Sequence, residues 1–395
     1  MAGPLDGIRV IDLSTVISGP LAGMMLADQG ADVIKIEAPG IGDILRAANF
    51  TRGGLTAFIA NANRGKRSLV LDLRTDDGQK IARELAKTAD VFIQNFRPGA
   101  IERVGLGEAE LRKLNPELIY MSISGFGETG PYADRRVYDP IIQGLTGNVA
   151  VQLNPITDFR DLVRNIICDK ATAYTAAQAI TAALFARERG AGGQHIRVPM
   201  LDAALAFFWP DGMLKHTMVG DDVIPGIALY EVYRLTDTAD GHLIYFMAAK
   251  AEFHGLFRAL ERPDLIETGR YDGPGTTLED LAELGEILEA EFRKWKTEEI
   301  TKRLVDEQVP VGPVLTLEQV LDDPQIRHND AIVEREHPSA GTIREARPGA
   351  HFGGTVPELP PHAPLKGEHN DEILAELGIE ASEREELRAR GVLGP

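Results

Sequence analysis

The sequence predicts an α/β protein: a larger domain built on a doubly wound parallel sheet, joined to a smaller α+β domain. Three observations predict it. Strand-like apolar runs alternate with helical segments through about the first 200 residues, the pattern of βαβ units with right-handed crossovers. The chain has 395 residues, beyond the ~250–300 at which a single core stops growing. After about residue 220 the alternation gives way to a short antiparallel pair followed by helices. The boundaries expected are 1–220 for the first segment of the large domain, 225–323 for the small domain, and 324–395 for a connection and C-terminal segment.

Gly7-Ile-Arg-Val-Ile-Asp-Leu13 reads as a buried strand. Ser14-Thr-Val-Ile-Ser-Gly19 turns, Pro20 opens a helix through Gln29, and Gly30 suits the left-handed position that ends it. Asp32-Val-Ile-Lys-Ile-Glu37 is the second strand. The turn between them lacks G-x-G-x-x-G, which argues against NAD or FAD. Further strands are expected at Ser68–Leu73, Asp90–Gln94, Leu118–Ile123 and His195–Val198, with helices at Asp77–Lys87, over parts of Gly99–Leu114, and from Asp169 to Ala186. Ligands of such sheets sit beyond the carboxyl ends of the strands, which directs attention to Ser14–Gly19, Asn95–Gly99, Ser124–Asp139 and Met200–Asp202. In the smaller domain, Tyr230–Leu235 and His242–Phe246 read as antiparallel strands around an Asp240-Gly241 turn. Helices follow at Lys250–Leu260, Leu278–Trp295 and Thr297–Gln308, and Pro310–Leu315 and Leu317–Leu321 close the unit. Residues 324–365 are rich in Pro, Gly and His, and the tail carries two charged helices, Asn370–Leu377 and Ser382–Arg390.

Composition narrows the function. A net charge of −18 argues against nucleic acid as the main partner, because phosphate binding needs a basic footprint. Cys168 is the only cysteine, so no intrachain disulfide forms and a reducing compartment is expected. No basic-then-apolar leader and no apolar run of membrane-spanning length occurs, so a cytoplasmic protein without membrane contact is expected. H-E-x-x-H, C-x-x-C and clustered histidines are missing, which argues against a metal site; so are G-x-S-x-G and a Walker loop.

Two features have both a plain and a chemical reading. Asp169 stands in Asn165-Ile-Ile-Cys-Asp169-Lys170, at the mouth of a long helix rich in small residues. It is either an N-cap, accepting a free N–H of the first turn, or a carboxylate nucleophile beside N–H groups that stabilise an oxyanion. Arg64, Lys66, Arg67, Arg97, Arg103, Arg135 and Arg136 gather near the predicted strand ends of an otherwise acidic chain. They are either a phosphate-binding group or a solvated face offsetting nearby acids.

The sequence resembles the family III coenzyme A transferases, the CaiB/BaiF type that includes formyl-CoA transferase, over nearly its whole length. The resemblance rests on Pro4-Leu-Asp-Gly-Ile-Arg-Val-Ile-Asp-Leu13, Gly19-Pro20, Gly30-Ala-Asp-Val-Ile-Lys-Ile-Glu37, Asn63-Arg-Gly-Lys-Arg-Ser68 and Asn95-Phe-Arg-Pro-Gly99. Ser124-Gly-Phe-Gly-Glu-Thr-Gly-Pro131, Tyr138-Asp139, Asp169 and Gly367-Glu-His-Asn370 extend it. It implies a Rossmann-like large domain completed by the C-terminal segment, in an interlocked homodimer whose active site meets the partner's small domain. It implies an enzyme that binds no permanent cofactor and takes coenzyme A and acyl-CoA as substrate together with a carboxylic acid. Asp169 then matches the nucleophile, passing through aspartyl anhydride and aspartyl-CoA thioester intermediates. Val16, Ile17 and Ser18 match the first turn lining the CoA site, and Leu71 and Arg74 the adenine side. Asn95, Phe96 and Arg103 match mid-chain contacts, and Arg136, Tyr138 and Met200 those near the pantetheine and thioester.

Two departures stand out: Ala38 replaces an Arg that some members carry, and Pro225–Tyr230 offers no counterpart to their shielding Gly-rich loop. Racemases of 2-methylacyl-CoA share the fold, but their catalytic His falls where this chain has Tyr138, a poor base at neutral pH. Transfer is therefore expected over α-proton exchange, and over CoA binding without catalysis. Arg160 and Arg164, ahead of Asp169, are candidates to receive the second carboxylate of a dicarboxylic acid.

Overall fold

The computed structural model describes residues 3–48, 50–152, 160–272 and 276–394; part of the irregular passage ahead of Asp169, residues 153–159, lies outside the described residues. The chain divides into two compact units, Met1–Met218 with Asp330–Pro395, and Val219–Asn329. The larger unit is organised by six strands: β1 (Arg9–Asp12), β2 (Asp32–Glu37), β3 (Lys66–Val70), β4 (Val91–Gln94), β5 (Ile119–Ser124) and β6 (His195–Pro199). They pair in parallel throughout, in the order β3-β2-β1-β4-β5-β6. Order reverses between β1 and β4, which makes the space beyond their carboxyl ends the switch point.

Strand residues alternate between the two faces of the sheet, and each face has its own helices. Val10, Val33, Ile93, Met121 and Val198 pack against α1 (Ser18–Ala27), α6 (Ile167–Ala186) and α7 (Met200–Gly212). Ile11, Ile34, Leu69, Phe92 and Tyr120 pack on the other side against helix Asp76–Lys87 and the C-terminal residues Ile373, Leu374 and Leu387. This second-face layer reaches the free edge of β3: Val70 donates its N–H to Asn370 Oδ1 at 2.8 Å, and Asp72 donates to the Val392 carbonyl at 2.8 Å. The small residues noted in the sequence, Ala173, Ala176 and Ala177 on α6 with Ala22 on α1, are buried in the shared core. Their missing bulk lets α1 and α6 lie close together.

The strand at 66–70 begins two residues earlier than its apolar run suggests. Lys66 and Lys35 are fully buried with their carboxylates: Lys66 Nζ lies 2.7 Å from Asp12 Oδ2, and Lys35 Nζ lies 3.2 Å from Asp43 Oδ2. A charged residue fits inside the sheet because its partner is inside too. Burial pulls the Lys66 ammonium down to about 8 despite that partner. Gly23 makes room for the pair, since a Cβ there would approach Asp12 and Lys66 to 3.2 and 3.3 Å.

In the smaller unit the antiparallel strands are Thr236–Asp237 and His242–Tyr245, with Val311–Pro313 on the far side of the latter. The strand expected at Tyr230–Leu235 is instead a helical turn, Leu229–Val232. Its alternation of apolar residues is overridden by local capping: the Glu231 carboxylate accepts the Ala228 N–H at 2.9 Å and closes the turn. Leu243, Leu256, Phe257, Phe292 and Leu304 form that unit's core.

Lys66→Met should lower the urea midpoint of the larger unit by the equivalent of about 3–5 kcal/mol, because Asp12 is left charged and buried without its cation. Adding Asp12→Asn should recover most of that loss; a double variant no more stable than the single one would show that the pair is not coupled.

Candidate active site

The switch point is built on the turn after β1, and each of three successive backbone N–H groups there is held by a separate acceptor. Ser14 N donates to Asp12 Oδ1 at 3.0 Å, Thr15 N to Asn95 Oδ1 at 2.9 Å, and Val16 N to Asp43 Oδ2 at 3.1 Å. Asn95 Nδ2 returns a bond to the Thr15 carbonyl at 2.7 Å, and Lys35 Nζ holds the Ser14 carbonyl at 2.8 Å. Val16 sits at φ +69°, a left-handed conformation that a β-branched residue adopts only under constraint. Gly19 is required three residues later, because a Cβ there would overlap Ser14. The turn thereby delivers Ser18, 4% exposed, as the first residue of α1.

Ser18 Oγ donates to Asp169 Oδ1, joining α1 to α6. Asp169 is 9% exposed and is the third residue of α6, not its cap. The capping role is filled from α5 (Asp139–Leu145): Asp139 Oδ2 accepts the N–H of Cys168 at 2.7 Å and that of Asp169 at 3.0 Å. Asp139 Oδ1 accepts from Gln143 Nε2 at 2.5 Å, and Gln143 also donates to the carbonyls of Val163 and Asn165 at 3.1 Å each. With the amides satisfied by a neighbour, the Asp169 carboxylate is free for other work. Among the described residues no hydrogen bond reaches its Oδ2. Burial raises its pKa; the Ser18 hydroxyl pulls the other way, and the Asp139 charge adds to the rise. Burial likewise pushes the Cys168 thiol up to about 12, so the neighbouring sulfur is not a thiolate near neutrality.

The remaining predicted residues are placed unevenly. Ile17 is buried as the N-cap residue of α1, and Met200 opens α7 with its side chain in the core. Leu71 is fully buried, so it offers a ligand its backbone only. Arg74 is 85% exposed and forks onto Asp72 at 2.7 and 2.9 Å. Asn95 is engaged with Thr15, while Phe96 and Tyr138 are 37% and 66% exposed. Phe96 also lines a cavity of about 510 Å³ with Arg97, Ser122 and His195.

The basic group splits. Arg64 binds Asp28, Lys66 binds Asp12, and Arg67 binds Asp32, Glu372 and Glu376. Arg135 stacks on Tyr132, 3.7 Å from the ring centroid. Arg97, Arg103 and Arg136 are exposed, Arg97 in the loop after β4, Arg103 in the 3-10 turn Glu102–Val104 and Arg136 in the loop after β5, and none has an ion-pair partner among the described residues. Beside Ala38, Glu37 is held bidentately by Arg46 at 2.7 Å on each oxygen. Arg160 is exposed; Arg164 is 80% exposed and forks onto Asp161 at 2.7 and 2.9 Å. Among the described residues no cluster of His, Cys, Asp or Glu suits a metal, and no helix is long and apolar enough to cross a membrane. Asp43 and Gln143 escaped sequence reasoning, since the contacts that tie them to the site, to Val16 N and to Val163 N, span 20 or more residues. Asp139 was visible only as half of a motif.

The family profile of CoA-transferase family III matches residues 5–370. A succinate–glutarate CoA-transferase of Agrobacterium fabrum is 36% identical, over 95% of this chain and 96% of its own. A formyl-CoA:oxalate CoA-transferase of Streptomyces avermitilis is 30% identical over the full length of both. Among solved structures, a CaiB/BaiF family protein from Brucella suis superposes with a TM-score of 0.80 at 31% identity, covering 95% of this chain and 100% of its own. The protein is thus a CoA-transferase, acting between acyl-CoA and acids. It belongs to CoA-transferase family III.

The raised pKa of Asp169 carries a sign. An acid whose folded pKa exceeds its unfolded value binds more protons when folded, so the fold loses stability as pH rises through that window. At neutral pH the ionised carboxylate is therefore a cost to the fold. Asp169→Asn, which can still accept from Ser18, should raise the urea midpoint at pH 7 and lose that gain as pH falls toward 4. An unchanged midpoint at both pH values would contradict the assigned burial.

Proposed function

We propose that the protein moves coenzyme A from an acyl-CoA thioester to a free dicarboxylic acid, with Asp169 as the covalent relay. The observation that carries this reading is a buried carboxylate, one oxygen without a hydrogen bond among the described residues, on a helix two of whose first amides Asp139 already satisfies. Capping alone gives no reason for such a residue. The dicarboxylate class is supported by relatives named for succinate, glutarate, D-citramalate and mesaconate.

The steps follow from ordinary reactivity. Oδ2 of Asp169 attacks the thioester carbonyl and expels the CoA thiolate, whose conjugate acid lies near ~8.5 for an ordinary thiol. The thiolate then attacks the aspartyl carbonyl of the resulting anhydride, releasing the donor acid and leaving CoA on Asp169. The acceptor carboxylate displaces CoA to form a second anhydride, and the thiolate attacks its acyl carbonyl to release the new acyl-CoA. The thioester bond energy is conserved, so no nucleotide or metal is required.

Arg97, Arg103 and Arg136 are the cations available for CoA phosphates, since the others are committed to carboxylates or to a ring. Val16, Ile17, Asn95, Phe96, Tyr138 and Met200 line the approach in this reading, with Leu71 and Arg74 on the adenine side. We also infer an interlocked homodimer in the cytoplasm. Exposed Tyr174, Phe185, Phe207 and Trp209 on α6 and α7 support a second copy as their cover.

Asp169→Ala should abolish transfer from succinyl-CoA to glutarate while leaving the circular dichroism spectrum intact; retained turnover would end the assignment. Across a matrix of acceptors, dicarboxylates should exceed monocarboxylates of equal length in kcat/KM. Equal values would remove the dicarboxylate class without touching the relay.

A further inference from the structure

An oxyanion forms on Asp169 itself whenever its carbonyl is attacked, which on the relay reading happens twice per turnover. The sequence offers the amides around residue 169 as its donors. Those amides are taken: Cys168 N and Asp169 N both donate to Asp139 Oδ2. The Lys170 N–H is spent on the Ile166 carbonyl at 3.1 Å. What faces the carboxylate is a hydroxyl from another helix, Ser18 Oγ, donated to Oδ1. Ser18 is 4% exposed, and Asp169 is its hydroxyl's only hydrogen-bond partner among the described residues.

We propose that Ser18 is a catalytic residue, the oxyanion donor for attack on the Asp169 carbonyl. The two carboxylate oxygens then have separate fates. Oδ2, unbonded, makes the bond to the acyl carbon and becomes the bridging oxygen of the anhydride. Oδ1 stays under the Ser18 hydroxyl as the carbonyl oxygen. When the CoA thiolate attacks Cγ, the carbonyl electron pair moves onto Oδ1 and a full charge develops where the hydroxyl already points. Collapse breaks the Cγ–Oδ2 bond, so Oδ2 leaves with the donor acid and Cγ keeps CoA. The acceptor carboxylate attacks the same carbon, and Oδ1 bears the charge again before the Cγ–S bond breaks. Donation to a full oxyanion is stronger than to a neutral anhydride or thioester carbonyl, which is the differential that speeds a step. The serine is held to this task by the fixed Ser14–Val16 turn ahead of it and by the absence of a Cβ at Gly19 behind it.

This assignment rests on the relay reading, and rapid-quench mass spectrometry of Asp169 with succinyl-CoA alone separates the two. Parent enzyme should accumulate CoA on Asp169. Ser18→Ala should form that adduct about 100- to 1000-fold more slowly, the cost typical of a lost oxyanion donor, with the steady-state KM for succinyl-CoA unchanged. Ser18→Thr, which keeps the hydroxyl, should restore most of the rate. Adduct formation at the parent's rate in Ser18→Ala, or equal loss in the Ala and Thr variants, would overturn the role of the hydroxyl and leave the relay standing. Parent enzyme that never carries CoA on Asp169 would overturn the relay and this assignment with it.

Discussion

The acceptance of two α6 amides by Asp139 is the interaction on which the site depends. A helix start has unsatisfied N–H groups, and an aspartate in its first turn normally serves them. Here a carboxylate from α5 does so, anchored in turn by Gln143, which ties down the carbonyls of Val163 and Asn165. The helix is therefore complete without Asp169, whose side chain turns to α1 instead. Two carboxylates end up near each other in a poorly solvated place, and the pair is tolerable because one is fully hydrogen-bonded. On the relay proposed for Asp169, conversion to a neutral anhydride or thioester would relieve the repulsion and favour the covalent states over the free carboxylate.

Strain and buried charge cooperate on the other side of the site. Val16 is kept in a left-handed conformation by Asp43, Asp43 is held by Lys35, and Lys35 also grips the Ser14 carbonyl. Asp12 with Lys66 forms a second such couple, Asp12 standing opposite Lys35 in the strand register. Replacing either pair by apolar residues would fill the volume but leave the turn's N–H and C=O groups without partners. The charges are retained for geometry, and the energetic return of each pair taken alone is modest.

The sheet was legible because parallel strands buried on both faces write themselves as apolar runs, and Asp32–Glu37 emerged residue for residue. Asp169 was legible by position and by resemblance, and Tyr138-Asp139 by motif alone. The contact that takes the capping role from Asp169, Asp139 to α6, crosses about 30 residues and leaves no periodic trace. The same blindness affected the basic residues. Arg64, Lys66 and Arg67 look like ligand-binding cations until their carboxylates, distant in sequence, are brought beside them. Tyr230–Leu235 failed differently, through a local carboxylate that favoured a turn over a strand.

The commitment of most arginines near the sheet to internal partners has a kinetic consequence. Coenzyme A is a polyanion, and it must reach a protein carrying −18 through a field of its own sign. The attraction available on the proposed phosphate contacts of Arg97, Arg103 and Arg136 is local and acts only on close approach. Added electrolyte screens interactions beyond a Debye length of ~10 Å at 0.1 M more than those at contact. Moderate ionic strength therefore quickens the capture of acyl-CoA, the reverse of the behaviour of a site set in a cationic surface, and slows it again once contact pairs are screened in their turn.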